Sequence, residues 1–203
     1  MRIDTLAKWF LSKNPQLCGG YIDENTKLNK LLYFSYLMHY AVTGRNLTDD
    51  KFEKWDNGPV SREIYNEYKH NNLSRFSDTK VDIEDKYVLK FLEIVNFVYS
   101  NRTARELSEE THEHSIWFDA EKNKDIDFRM IAEKEKCLMK SLYATYADMD
   151  FDSMAMEKIS GNIYYYDKSN LDMSDEVVSI LEKMEPQSDP VFVENIDGEL
   201  VFS

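Results

Sequence analysis

The chain reads as mainly α: a compact multi-helix bundle around a buried central helix, with a small C-terminal appendage that contains a β-hairpin. Three observations predict this. Residues from Leu28 to Val42 are almost continuously apolar or aromatic, and a helix that is apolar all round belongs inside a bundle. Elsewhere in residues 1–149 apolar side chains recur at helical spacing. Near the end, Val191-Phe192-Val193 and Leu200-Val201-Phe202 flank Asp197-Gly198, a strong short-range hairpin signal.

In order along the chain, Ile3, Leu6, Ala7, Phe10 and Leu11 stripe a first helix, which Pro15 and Cys18-Gly19-Gly20 interrupt. The central helix follows, with Thr26 as its expected cap and Gly44 as its left-handed stop. Its apolar run falls short of the ~20 residues of a membrane span, and Ser35, His39 and three tyrosines interrupt it. Next comes Trp55-x-x-Gly58-Pro59-Val60. Gly58 supplies a permissive backbone, and Pro59 pushes it away from the helical region. A new helix is expected near Ser61, running through Ile64, Tyr65 and Tyr68, with Trp55 filling the gap between the two helices.

Residues 71–81 are polar and read as a loop. Val88, Phe91, Leu92, Val95, Val98 and Tyr99 then mark one face of an amphipathic helix. Thr103-x-x-Glu106 is a capping box, and its helix runs through Leu107 to Thr111-His112-Glu113-His114-Ser115-Ile116-Trp117. After a polar link, Glu121 to Asp127, a long helix is expected from Phe128, Ile131, Leu138, Leu142 and Met149. Residues 150–203 change character. Ile163-Tyr164-Tyr165-Tyr166 has strand composition, and Ser174 to Met184 reads as a short acidic helix before Pro186. We therefore divide the chain into a helical domain, 1–149, and an extension, 150–203. A lone hairpin is marginal in water. It must pack on the body, pair with a strand such as Tyr164–Tyr166, or wait for a partner to which it adds a strand.

The net charge of −13 is unevenly placed: residues 150–203 carry thirteen acidic and three basic side chains and no arginine, a net −10, leaving −3 for residues 1–149. Such a surface repels phosphates, so direct nucleic-acid binding is disfavoured, and it attracts a basic partner over about a Debye length, ~8 Å in physiological salt. Asp4 and Lys8 fall among the first apolar residues, unlike a secretory leader. Cys18 and Cys137 stand alone without metal or redox spacing, which suits a reducing cytoplasm. No phosphate-binding loop, nucleophile elbow or metalloprotease motif occurs in the sequence, which has six glycines. His112-x-His114, beside Glu109, Glu110 and Glu113, most resembles a metal site. Residues two apart on a helix do not face each other, however, and no third His or Cys lies nearby. No metal, cofactor or catalytic residue is therefore expected. His112 is expected to donate to a backbone carbonyl and pin the turn before Trp117. Lys27 and Lys30 open the central helix, where its dipole disfavours them; the placement is open to a nearby anion or acidic partner, but the preferred reading is surface lysines that tolerate a small penalty.

Taken together, Lys27-Leu28-x-Lys30-Leu31-Leu32-Tyr33-Phe34, Gly44-Arg45, Trp55-x-x-Gly58-Pro59-Val60 with Tyr65, and Leu107-x-x-x-Thr111-His112 with Trp117 resemble the Panacea domain, the SocA-like antitoxin domain also found in phage-associated GepA-like proteins. The resemblance spans roughly the first two thirds of the chain. It implies a helical domain encoded beside a toxin gene that neutralises the toxin by binding it, with no enzymatic activity. The expected partner is a cognate protein toxin, basic in charge, with no membrane involved. Tyr164, Tyr165, Tyr166, Phe192 and Phe202 are the candidate exposed anchors, because aromatic side chains carry much interface energy. Trp55, Tyr65, His112 and Trp117 are assigned to the domain's own packing. Rival readings are an adaptor that delivers a bound protein to a protease, and a phage-encoded acidic inhibitor of a nucleic-acid-binding host protein.

Overall fold

The computed structural model describes residues 1–77, 81–188 and 190–203. They form two compact units, Met1–Asp148 and Met149–Ser203. The chain is mainly helical, with a two-stranded and a four-stranded sheet.

In the first unit, α1 spans Ile3–Lys13 and buries Ile3, Leu6, Ala7, Phe10 and Leu11. Its first turn is capped from elsewhere, since the Ile3 N–H donates to Asp50 Oδ2 at 2.9 Å. A 3-10 turn, Pro15–Cys18, leads to α2, Ile22–Thr43. This helix is buried on every side, from Leu28 through Met38. The elements around it are α1, β2 (Gly58–Val60), α3 (Arg62–Asn71), α5 (Lys86–Tyr99), α6 (Ala104–His112) and α8 (Glu133–Tyr146). It starts earlier than expected. Glu24 accepts from the Tyr21 N–H at 2.7 Å and so fixes the first turn, while Thr26 lies inside the helix with its hydroxyl donating back to the Ile22 carbonyl at 2.9 Å. Gly44 ends it at φ 70°. The expectation of two surface lysines is corrected for Lys30, whose exposure is 0 %; Lys27 is half-buried.

Strand β1, Glu53–Trp55, pairs antiparallel with β2 around the Asp56-Asn57 turn. Ser61 caps α3, and a short helix α4, Ser74–Ser77, occupies part of the stretch read as loop; residues 78–80 of that stretch lie outside the described residues. Helix α5 buries Ile94 in addition to Val88, Phe91, Leu92, Val95 and Tyr99, and leaves Val98 half-buried. The capping box forms in both directions, with Glu106 N–H donating to Thr103 Oγ1 at 3.2 Å and Thr103 N–H to Glu106 Oε2 at 2.7 Å. Helix α7 spans Ser115–Phe118. The long helix expected from Phe128 is shorter. Phe128 and Ile131 anchor a 3-10 turn ahead of α8, Leu138 is exposed, and Met139 is the side chain buried on α8. Tyr143, half-buried, stacks on Phe91 at 4.8 Å.

The second unit is a four-stranded sheet in the order β3-β4-β5-β6. The strands are Met154–Ile159, Asn162–Asp167, Val191–Ile196 and Glu199–Phe202, with α9, Asp175–Leu181, between β4 and β5. Strands β4 and β5 are parallel, with Tyr164 opposite Val191 and Tyr166 opposite Val193. Asp197 and Gly198 both have positive φ, 53° and 90°, as a type I′ hairpin turn requires. The hairpin thus takes the second of the three expected arrangements, pairing with the tyrosine strand.

This pairing corrects the expectation that Tyr164, Tyr165 and Tyr166 are exposed: they show 0 %, 7 % and 7 % of their surface. Tyr164 and Tyr166 point to the face packed on Leu171, Leu181 and Val193. The Tyr164 hydroxyl donates to the Leu181 carbonyl at 3.0 Å and accepts from Asn162 Nδ2 at 3.0 Å. Tyr165, on the opposite face, lies against half-buried Phe192 with ring centroids 5.6 Å apart. Phe202 is exposed. Among the described residues no helix is long and apolar enough to cross a membrane.

Candidate functional site

The residues singled out in the first 120 positions converge on the β1–β2 hairpin. Gly58 sits at φ +96°, and a Cβ on it would stand 2.6 Å from Lys30 Nζ and 2.6 Å from Thr111 Oγ1. Only a glycine lets the chain pass between the lysine of α2 and the threonine of α6. Pro59 then places its carbonyl as acceptor for Lys30 Nζ at 3.2 Å. Asn29, one residue back on α2, accepts from the Ser61 N–H at 2.8 Å, which locks the exit of the hairpin to the central helix. The Ser108 hydroxyl donates to the Asn57 carbonyl at 3.2 Å and Thr111 Oγ1 to the Ser108 carbonyl at 2.9 Å. On its outer edge β1 pairs with residues 123–126, through Lys54 N–H to the Lys124 carbonyl at 3.0 Å and Ile126 N–H to the Phe52 carbonyl at 2.7 Å.

Lys30 is the unusual group here. No carboxylate lies within 4.0 Å of its ammonium among the described residues, and burial lowers its pKa to about 7. An ammonium has three donors, and the one acceptor it meets is neutral. It lines a cleft of about 230 Å³ together with Ile22, Asn25, Trp55, Tyr65 and Lys122. Trp55 is half-buried and packs edge-on against Tyr65, with ring centroids 4.6 Å apart. It packs on α3 and forms one wall of an open cleft that Ile22 and Asn25 of α2 also line, rather than filling the gap between the two helices. Its indole N–H donates to Glu53 at 3.0 Å, and Arg62 grips the same carboxylate at 2.7 and 2.6 Å. Lys122 pairs with Asp56 at the rim.

Behind the hairpin, His112 stacks on Trp117 with ring centroids 4.2 Å apart, and Lys54 Nζ lies 4.7 Å from the Trp117 ring. Burial and the nearby Lys30 lower the His112 pKa, against a backbone hydrogen bond with Asp56 that raises it. His112 Nε2 and Trp117 Nε1 are both buried with no hydrogen-bond partner among the described residues. Two positions on, His114 turns the other way. Its Nδ1 lies 3.0 Å from the Tyr33 hydroxyl, and burial lowers its pKa although Glu135, Glu110 and Glu113 oppose this. Glu135 of α8 fixes the start of α7, accepting from the Ser115 N–H at 2.7 Å and the Ser115 hydroxyl at 3.1 Å. The two imidazoles thus serve separate environments, and no group of His, Cys, Asp and Glu among the described residues is placed to hold a metal ion.

Of the residues marked in the sequence, the fold brings together Lys30, Trp55, Gly58, Pro59, Val60, Tyr65, Thr111, His112 and Trp117. Leu28, Leu31 and Tyr33 are core, and Lys27 stands beside Glu106, whose charge partly offsets the lowering of its pKa by burial. The aromatic residues marked in the second unit belong to that unit's own sheet. Sequence reasoning missed Asn29, Ser108 and Glu135, polar residues that bind the backbone of neighbouring elements. Asn29 carries a usable signal, an amide within an otherwise apolar helix, which needs a partner when buried.

Residues 28–118 match the family model described as antitoxin SocA-like, Panacea domain, a span shorter than the first two thirds of the chain. Comparison with curated proteins and with solved structures returned no match.

Proposed function

We infer that this chain, which carries a SocA-like Panacea domain over residues 28–118, is the antitoxin of a toxin–antitoxin pair and neutralises a cognate protein toxin by binding it directly. The observation that carries the reading is the family match, whose span contains each motif that meets at the β1–β2 hairpin, from Lys30 through Gly58 to Thr111-His112 and Trp117. The proposed mechanism is stoichiometric masking. Apolar anchors supply the binding energy and the acidic surface, concentrated in residues 150–203, selects and speeds the encounter with a basic partner. The reading assigns the chain no catalytic step.

The supporting surface features are specific. Phe118 is 70 % exposed beside Lys54, whose ammonium its carbonyl accepts at 2.7 Å. In the second unit Ile196, Val201 and Phe202 are exposed on the outer hairpin, whose last strand lies at the edge of its sheet and offers a template for strand addition.

The test is a growth assay in which the open reading frame adjacent to this gene is induced with and without this chain. The expected result is arrest by the neighbour alone and recovery when this chain is co-expressed. A harmless neighbour, or arrest that this chain does not relieve, contradicts the reading.

A further inference from the structure

A second cleft, formed by α6, its C-terminal turn and α8, gathers carboxylates around a histidine. It measures about 480 Å³, within the ~300–1,000 Å³ range of ligand pockets, and five glutamates line it against Arg102 and Lys134. His114, 5 % exposed, is the most buried residue of its lining. The imidazole turns Nδ1 inward to Tyr33. Its Nε2 has no hydrogen-bond partner among the described residues and is not one of their sealed unpartnered atoms, so that edge opens on the cleft. A buried polar edge of this kind calls for a partner.

The charges of Glu135, Glu110 and Glu113 all bear on the His114 ring, which places three carboxylates around one point. Arg102 pairs with Glu110, and the start of α7 holds Glu135. Glu113 is exposed and has no cation within 4.0 Å among the described residues. It follows the last turn of α6, where the helix dipole adds to the negative potential, and a cleft walled by one sign of charge focuses that field. No group of His, Cys, Asp and Glu among the described residues is placed to hold a metal ion, so the cation that fits is one that spreads its charge. A guanidinium does so, with five donors in a planar fork, whereas an ammonium is a compact point charge. Leu138, 49 % exposed on α8, lines the same cleft and offers an apolar contact to a methylene stem.

We propose that this cleft receives an arginine side chain of the protein partner, with its guanidinium among Glu110, Glu113 and Glu135 at the open edge of His114 and its stem along Leu138. The inference rests on the reading that the chain binds a toxin. It adds a specific grip on a basic toxin within the first unit, beyond the general attraction of the acidic residues of 150–203.

The test is calorimetric titration of the purified product of the adjacent gene into the wild-type chain and into Glu113→Lys, Glu113→Gln and Glu121→Lys. Glu121 is exposed and is not part of the cleft lining, so Glu121→Lys makes the same change in net charge away from the cleft. Glu113→Lys is expected to weaken binding about 30-fold or more, as when a charge pair buried in an interface is broken, and Glu121→Lys less than about 3-fold, as for a rim charge. If circular dichroism shows that Glu113→Lys does not fold, Glu113→Gln decides, with an expected loss of about 10-fold. An Arg→Lys scan of the toxin should then reveal one position that costs affinity for wild type and is silent against the Glu113 variant, the signature of a direct pair. Equal losses for the Glu113 and Glu121 variants, or no such arginine, overturn the proposal while leaving the antitoxin reading intact. No binding by the wild type removes both.

Discussion

Lys30 and Gly58 share one small space: a Cβ at Gly58 would stand 2.6 Å from the Lys30 ammonium. Gly58→Ala therefore meets two penalties at once. At φ +96° an alanine is strained by about 1–3 kcal/mol, and its methyl must displace Lys30 or Thr111 from a packed interior. A loss of about 2–4 kcal/mol in unfolding free energy is expected by denaturant titration. A loss below about 0.5 kcal/mol, the scatter of ordinary surface substitutions, would show that this crossing of helix and hairpin is looser than described.

The burial of Lys30 also makes a pH prediction. Its pKa is about 7 in the fold, against 10.5 for an unperturbed lysine. Between these values the unfolded chain holds a proton that the folded chain releases, so this residue's contribution to stability improves as pH rises through that window. Below about 7 the folded protein must charge a buried amine and the full penalty applies. Lys30→Met removes the penalty, which amounts to about 1.4 kcal/mol for every tenfold loss of proton affinity on folding. The variant's advantage over wild type should be largest at about pH 6 and shrink towards about pH 9. Lys30 also lowers the pKa of His112, so its removal eases protonation of that imidazole and adds to the variant's advantage at low pH. A difference that does not change with pH would contradict the assignment.

Tyr33→Phe removes the hydroxyl that meets His114 Nδ1. The imidazole is left buried without that partner, at a cost of about 1–3 kcal/mol. The helical content should be unchanged, because the ring still packs on Phe52 and Phe128. Thermal melts of the two proteins check this.

The second unit separates core from surface among its aromatics. Tyr164→Ala should cost about 3–5 kcal/mol, the range for large-to-small changes in a core, because it empties the centre of the small sheet and removes the hydroxyl that bonds the Leu181 carbonyl and Asn162. Phe202→Ala, at an exposed strand end, should cost less than about 1 kcal/mol. If Phe202→Ala instead weakens toxin binding at unchanged stability, the edge of the sheet takes part in the interface.

Much of this architecture is legible in the sequence, for reasons that also define the failures. The α2 run is readable because an all-round apolar helix has few other places to be, and the Asp197-Gly198 turn because its two positive φ angles demand such residues. The fate of Lys30 is not readable. Lys27 and Lys30 lie three apart and so share a helix face, and reading both as exposed is locally consistent. Only the packing of β2 against α2 places one inside and leaves the other half-buried. Strand β3, Met-Ala-Met-Glu-Lys-Ile, escapes notice because its composition lacks the β-branched and aromatic enrichment of strands. For Tyr164–Tyr166 the strand is legible but the burial is not, since it depends on β3, β5 and α9 arriving from either side.

The central claim is that this chain alone engages the toxin. The most direct test mixes the purified product of the adjacent gene with the purified chain, without any third protein, and measures mass and stoichiometry by size-exclusion chromatography with light scattering. The account predicts a stable complex of fixed stoichiometry in which the toxin's activity is blocked. Free components, or a complex that leaves the toxin active until a further protein is added, would contradict it.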